Sequence, residues 1–334
     1  MRVALIKLSS LGDVVHTLPV AATLRARLPG VHVTWIVERR EAAVLRDHPA
    51  LDELLPIDTR RWRRARGRDD VADVARAVGR IGGRLGSARL DVAIDLQGLI
   101  KSGLITAVTR APLRIGFSAR RCREPLSAIF TNRRVTPPDG ARHVVDQYLS
   151  LLTPLEITAP VHEFRLPADA AAETRAEEIL AAAGLKPRRR LVVVNPGAGR
   201  ADKRWPVDGF RALAERLTED AGADVLVVWG PGEEAAARRI APGVGASRAV
   251  LGPPTNLYEL IAILRRASVL VAGDTGPLHL AAAVGTPCVG LYGPTSAVRN
   301  GPYGPGHRCL QGRAGRMMTI EVEAVFHAVA DLLG

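Results

Sequence analysis

Residues 3–13 read Val3-Ala4-Leu5-Ile6-Lys7-Leu8-Ser9-Ser10-Leu11-Gly12-Asp13: an apolar run, a turn of small residues, then an acid at the start of an amphipathic stretch. The run is continuous rather than alternating, which marks a strand buried on both faces, as in a parallel sheet. The same unit recurs along the chain. Strands are expected at Val3–Leu8, Val31–Val37, Glu53–Ile57 and Val92–Leu96, with helical periods at 14–28, 38–47, 69–86 and 98–109. A βαβα series of this kind predicts a doubly wound α/β domain. The pattern then pauses, and residues 153–168, with Pro154, Pro160 and Pro167 and no helical period, read as a linker. A second series follows, with strands at Leu191–Asn195, Val225–Trp229, Ala249–Leu251, Val269–Ala272 and Cys288–Leu291. Its helices are expected at 169–183, 207–219, 232–240, 256–266, 277–284 and 319–333. Two Rossmann-like halves are therefore expected, with the ligand crevice between them, because open parallel sheets bind ligands beyond the carboxyl ends of their strands.

Composition narrows the classes. The 334 residues are 47% apolar and 4% aromatic, enough for a sizeable core and too apolar for a disordered chain. The formal net charge is +12 and is unevenly spread: residues 1–160 carry 26 Lys and Arg against 16 Asp and Glu, residues 161–334 carry 20 against 18. An anionic partner is thus expected on the first half. Cys122, Cys288 and Cys309 are odd in number and scattered, which fits a reducing cytosol. No apolar run is long enough to span a bilayer. Lys7 and Asp13 interrupt the opening run, which argues against a signal peptide.

Several familiar motifs are absent. No G-x-G-x-x-G follows the first strand, and Gln97-Gly98-Leu99-Ile100-Lys101-Ser102 lacks the glycine that precedes a P-loop lysine. There is no G-x-S-x-G elbow, no C-x-x-C or H-x-x-x-H, and no D-x-D pair that would hold a nucleotide sugar through a metal. Neither a metal nor any other cofactor is expected.

Five constellations remain. Asp13 follows the first strand and its Ser10–Gly12 turn, where a carboxylate either caps the helix or takes a proton from a substrate hydroxyl. Asn195-Pro196-Gly197-Ala198-Gly199 opens a small-residue loop leading to Lys203, which either points to solvent or reaches a phosphate. Gly273-Asp274-Thr275-Gly276-Pro277-Leu278-His279 again joins a strand to a helix start, where free N–H groups make an anion site. Trp229-Gly230-Pro231-Gly232-Glu233-Glu234 supplies acids that either complement a helix dipole or take ribose hydroxyls. Arg60, Arg61, Arg63, Arg64, Arg66 and Arg68 flank Trp62, and Arg120, Arg121, Arg123, Arg133 and Arg134 follow. Such forks suit carboxylates and phosphates. Nucleic acid is the generic alternative, disfavoured because stacking aromatics are scarce.

These residues resemble the lipopolysaccharide heptosyltransferases of glycosyltransferase family 9, the type I branch most of all. The resemblance covers nearly the whole chain. It rests on residues 3–13 with His16-Thr17-Leu18-Pro19, Arg60-Arg61-Trp62-Arg63, Asp95 to Ser102 and Arg123-Glu124-Pro125-Leu126. Further on it rests on Lys203-Arg204-Trp205-Pro206, Asp274-Thr275-Gly276 with His279, and Tyr292-Gly293-Pro294-Thr295. It implies a GT-B fold: an acceptor-binding domain over 1–157, a nucleotide-sugar-binding domain over 158–318, and a terminal helix over 319–334 packing back on the first domain. It also implies inverting, metal-independent transfer of L-glycero-D-manno-heptose from ADP-heptose to a Kdo sugar of Kdo2-lipid A. The setting would be the cytoplasmic face of an anionic inner membrane, with the enzyme peripheral, monomeric and without a nucleic-acid partner.

By position, Asp13 would be the general base and Lys203 would contact the diphosphate. Ala198, Gly199, Glu234, Thr255, Asp274, Thr275, Gly276 and His279 would complete the donor site, Glu234 on the ribose. Ser10, Gly12, Arg60, Arg61, Arg63, Gln97, Lys101, Arg120 and Arg123 would meet the acceptor. Type I members often carry a Thr-Thr pair where this chain has Ala198-Gly199, so those hydroxyl contacts are lost or supplied by the backbone. The alternatives are a family 9 transferase with another core acceptor and a nucleotide-binding protein without turnover.

Overall fold

A computed structural model describes residues 1–59, 68–185, 190–241 and 249–334. The chain divides into two compact units, Met1–Arg165 and Leu166–Gly334. The division lies inside the expected linker, later than the expected 157/158 boundary. Residues beyond 157 are tied to the first unit: the Thr23 hydroxyl and the Val161 backbone exchange hydrogen bonds (2.9 and 3.2 Å), and Arg27 Nε donates to Ala159 O (2.8 Å).

The first unit holds strands β1 (Arg2–Ile6), β2 (His32–Glu38), β3 (Glu53–Ile57), β4 (Val92–Asp95), β5 (Leu113–Phe117) and β6 (Arg133–Val135). Its helices are α1 (Leu11–Arg27), α2 (Arg68–Ser87), α3 (Ile100–Val108) and α4 (Val144–Ser150). The sheet order is β3-β2-β1-β4-β5-β6, all parallel. Val3 to Ile6 are fully buried between two layers of helix, which is why the run needs no polar alternation.

The second unit repeats the plan. Its strands are β7 (Leu191–Asn195), β8 (Asp224–Val227), β9 (Ala249–Leu251), β10 (Val269–Gly273), β11 (Cys288–Tyr292) and β12 (Arg308–Gln311). Its helices are α5 (Ala170–Ala182), α6 (Val207–Glu219), α7 (Glu234–Ile240), α8 (Leu257–Arg266), α9 (Gly276–Ala283), α10 (Ala297–Asn300) and α11 (Val322–Leu333). The order is β12-β11-β10-β7-β8-β9, again parallel. Counted from its own first strand, each sheet runs 3-2-1-4-5-6, the doubly wound order. In such sheets the chain reverses direction between strands 1 and 4, and a crevice opens there at the carboxyl ends. The switch points are β1/β4 in the first unit and β7/β10 in the second.

One expectation fails: the helix expected over 38–47 is a single 3-10 turn, Ala42–Leu45. The terminal helix is part of the second unit, where Val325, Phe326, Ala328 and Val329 of α11 join the core with Phe210, Leu213, Leu217 and Val271. These apolar residues form one face of the helix, and that face is already covered by α6 and β10–β12.

Candidate functional site

At the first switch point β1 ends at Ile6, and the chain turns through Ser9 and Ser10 into α1. Gln97, on the loop after β4, fastens this turn: its Oε1 accepts from Leu8 N (2.8 Å) and Ser9 N (3.3 Å), and its Nε2 donates to Ser9 O (2.8 Å). Gln97 is itself fixed by Asp95, whose Oδ1 accepts from Gln97 N (2.9 Å) and Gly98 N (3.1 Å). Both ends of the Gln97 amide are thus spent on the turn rather than displayed to a ligand.

Asp13 is the third residue of α1. Its Oδ2 accepts from Ser10 N (3.0 Å) and Ser10 Oγ (2.9 Å), the capping contact, while Oδ1 accepts from the Tyr148 hydroxyl (3.2 Å). Capping does not exhaust the carboxylate, which has about four lone-pair positions, and its side chain is 39% exposed. Beneath it lies Lys7, 3% exposed, with Nζ 2.6 Å from the Tyr148 hydroxyl, 3.1 Å from Leu96 O and 3.7 Å from Asp13 Oδ1. Desolvation pushes the Asp13 carboxyl up, but the Lys7 ammonium and the hydrogen bonds from Ser10 and Tyr148 outweigh it and hold the group below its ordinary value. The result is an ionised, half-open carboxylate on a rigid mount, able to take a proton from a hydroxyl.

The sequence reading missed Tyr148 as a member of this group. It lies on the seven-residue α4, a helix that the sequence reading did not place. Lys7 carried a visible signal, a charge inside an apolar run, and its burial explains it.

Around this core the acceptor expectations divide. Ser10 and Gly12 form the Asp13 turn. Lys101 Nζ lies 3.4 Å from the buried Glu38 carboxylate and 3.3 Å from Thr59 Oγ1, so its position is set by Glu38. Arg120 and Arg123 are exposed on the loop after β5. Arg60, Arg61 and Arg63, with Arg64 and Arg66, lie outside the described residues.

At the second switch point, the loops after β7 and β10 bring Lys203 and Asp274 together: Nζ lies 2.7 Å from Asp274 Oδ2. His279 Nε2 lies 3.2 Å from Asp274 Oδ1. Burial raises the Asp274 carboxyl, yet His279 and Lys203 overcome this and leave it far below the usual carboxylate range. A carboxylate so held is unsuited to meet a phosphate itself; it fixes the positions of Lys203 and His279. Asp274 takes one of the three Lys203 ammonium donors and leaves the others for an incoming anion.

The Lys203 loop is pinned on both sides. Arg204 donates twice to Ala198 O (3.0 and 2.9 Å), and Trp205, 3% exposed, donates from Nε1 to Ile320 O (3.0 Å). Gly273 has no Cβ because one would stand 2.9 Å from Lys203 O. Thr275 is the N-cap of α9 and bonds Gly273 O (3.2 Å), while Pro277 sits in the first turn. The N–H groups at the start of α9, those of Thr275, Gly276 and Leu278, have no acceptor within the helix, and the helix dipole lies behind them. Ala198 is buried and Gly199 exposed, so this loop offers a ligand backbone groups rather than hydroxyls.

The acids after β8 have different roles. Glu233 turns back to accept from Gly230 N (2.9 Å) and lies over Gly197, where a Cβ would come within 2.1 Å of its carboxyl oxygens. Glu234 faces outward, paired with Arg238 (2.6 Å), and lines an open cleft of about 810 Å³ with Trp229, Gly232 and Arg239. Thr255 is half-buried, just before the Asn256 cap of α8.

The sequence profile of glycosyltransferase family 9 (heptosyltransferase) matches residues 78–329. The chain belongs to glycosyltransferase family 9. It is 34% identical over 305 residues to lipopolysaccharide heptosyltransferase 1 of Pseudomonas aeruginosa, spanning 91% of this chain and 82% of that one. The structure of the Escherichia coli heptosyltransferase WaaC with ADP superposes with a TM-score of 0.80 at 28% identity, covering 99% of this chain and 100% of that one. The same enzyme with ADP-2-deoxy-2-fluoro heptose gives 0.78 at 29% identity, covering 99% of each. The chain is thus a glycosyltransferase with the expected two-unit α/β fold. In this family 9 member, Tyr292 of the Tyr292-Gly293-Pro294-Thr295 stretch has a structural contact: its buried hydroxyl donates to Asn300 O (3.0 Å), at the end of α10.

Proposed function

We propose that this family 9 enzyme transfers L-glycero-D-manno-heptose from ADP-heptose to a Kdo sugar of Kdo2-lipid A. The observation that carries the reading is the pairing of chemistries at the two switch points. One presents an ionised carboxylate, Asp13; the other presents a cation, Lys203, and a helix N-terminus, with an acid that aims rather than binds. Relatives named for heptose transfer, and a relative holding an ADP-heptose analogue, support this donor and acceptor class.

Asp13 takes the proton of the acceptor hydroxyl as that oxygen attacks the anomeric carbon. The C–O bond to the diphosphate breaks from the opposite face, which inverts the centre. Such a base contributes ~10²–10⁴-fold. Negative charge grows on the departing ADP, and Lys203 with the α9 N–H groups disperses it. Glu234, beside Trp229 in the open cleft, accepts from the ribose hydroxyls, and the exposed basic surface of the first unit meets the carboxylates and phosphates of the acceptor. The enzyme works peripherally at an anionic membrane face; among the described residues no helix is long and apolar enough to cross one.

The test is the purified chain with ADP-heptose and a panel of Kdo-bearing and heptose-bearing acceptors, read by mass spectrometry. Addition of one heptose to the Kdo-bearing acceptors is expected. Transfer confined to heptose-bearing acceptors would place the chain elsewhere in the family, and no transfer to any acceptor would refute the reading.

A further inference from the structure

Besides Met1, five large apolar side chains among the described residues of the first unit stand in solvent. Ile100, Leu104 and Val108 on α3 are 39, 49 and 41% exposed, and Leu126 and Ile129 on the 3-10 turn Pro125–Phe130 are each 66% exposed. The α3 residues recur every fourth position and so form one stripe. The 3-10 turn packs along the same helix. The two are joined where Ile100 N donates to Glu124 Oε2 (2.7 Å) and Glu124 N donates to Gly98 O (3.0 Å). One exposed leucine needs no account, but a contiguous ridge does.

The rim of this ridge is basic. Arg110 follows α3, Arg120, Arg121 and Arg123 precede the turn, and Arg133 follows it; all five are exposed. Hydrocarbon ringed by guanidinium groups matches a surface with acyl chains under anionic headgroups. A nucleic acid would satisfy the arginines and leave the ridge wet.

We propose that this ridge seats the enzyme on an anionic lipid bilayer, with Leu104, Leu126 and Ile129 entering the headgroup–acyl boundary and the rim arginines meeting lipid phosphates. The ridge begins at Ile100, three positions after Gln97, the residue that fastens the Asp13 turn. Its upper end is therefore at the carboxyl edge of the first sheet, beside the Asp13 site. A lipid-anchored acceptor would present its sugar there while its acyl chains stay in the membrane. The inference deepens the proposed function and rests on it for the identity of the acceptor; lipid binding itself is measured without turnover.

The full chain and the variant Leu104→Gln/Leu126→Gln/Ile129→Gln are floated with vesicles of phosphatidylethanolamine and phosphatidylglycerol, and with vesicles of phosphatidylcholine alone. Turnover is measured in parallel on a water-soluble, acyl-free acceptor. The chain is expected to float with the anionic vesicles and not the neutral ones, more weakly as salt rises. The variant should bind anionic vesicles at least about ten-fold less while keeping its soluble-acceptor turnover. Equal flotation of chain and variant would overturn the proposal, as would no flotation of the parent chain. A parent chain that self-associates through this ridge, dissociated by the same substitutions and indifferent to vesicles, would overturn it in favour of a second copy. Absent turnover in both proteins, with the parent chain floating and the variant not, would count against the proposed function and leave the docking surface standing.

Discussion

Asp13 joins a folding contact to the base's role in the proposed reaction. Its Oδ2 closes the start of α1 on Ser10, and its Oδ1 faces Tyr148 and the buried Lys7. The ammonium favours the ionised carboxylate, so replacing Lys7 with Met raises the Asp13 value. The base works only when ionised, so the acid limb of the kcat/KM profile should move to higher pH, with the neutral plateau little changed. An unmoved limb with normal circular dichroism would mean that Lys7 only fills space. In the second unit, the sequence carried the expectation of Lys203 at a phosphate and of Asp274 in the donor site. Their mutual arrangement was not legible, because it depends on two loops 71 residues apart being adjacent at a switch point. Lys203→Ala should weaken ADP binding by about ten- to a hundred-fold, the value of a charge-assisted contact, measured by calorimetry. Unchanged affinity would remove Lys203 from the diphosphate site.

At the scale of elements, what could be read followed burial. Glu53–Ile57, Leu191–Asn195, Ala249–Leu251 and 207–219 have the bounds expected, because continuous apolar runs and a strong helical period leave one reading. The missed strands are short and broken by polar residues. β5 is interrupted by Arg114 and Gly116, β6 is Arg-Arg-Val on a sheet edge, and β12 is an edge strand of Arg308, Cys309, Leu310 and Gln311. Edge position alone does not hide a strand, since β3 and β9 are also edges and their apolar runs were legible. α4 is too short to show a period, and Tyr148 was lost with it. The join between β10 and the Lys203 loop offers a test of close packing. Gly273→Ala places a methyl 2.9 Å from Lys203 O, a backbone atom that cannot rotate away. The substitution should cost about 1–3 kcal/mol of stability and lower ADP affinity by displacing the loop. Denaturant melts and calorimetry would show both; loss of neither would mean that the loop yields freely.

At the scale of the molecule, the chain uses one topology twice for opposite purposes. Each unit places its chemistry where strands 1 and 4 part, a carboxylate in the first and a cation with a helix N-terminus in the second. The basic excess of residues 1–160 carried the expectation of an anionic partner. The apolar ridge beside it was not legible, since α3 and the 3-10 turn become neighbours only in the fold. Charge on the departing diphosphate is met by Lys203 and α9 in the proposed mechanism, so turnover should be unaffected by chelator and by added divalent cations. Loss of activity with chelator, restored by a metal, would contradict that account.

The central claim, that Asp13 is the base of a heptosyl transfer whose donor is held by the other unit, is met most directly by Asp13→Asn. Turnover from ADP-heptose and ADP affinity are to be measured on the same preparation. The account predicts turnover down by ~10²–10⁴-fold with ADP affinity within two-fold, roughly, of the parent. Turnover near the parent value, or a parallel collapse of ADP binding, would contradict it.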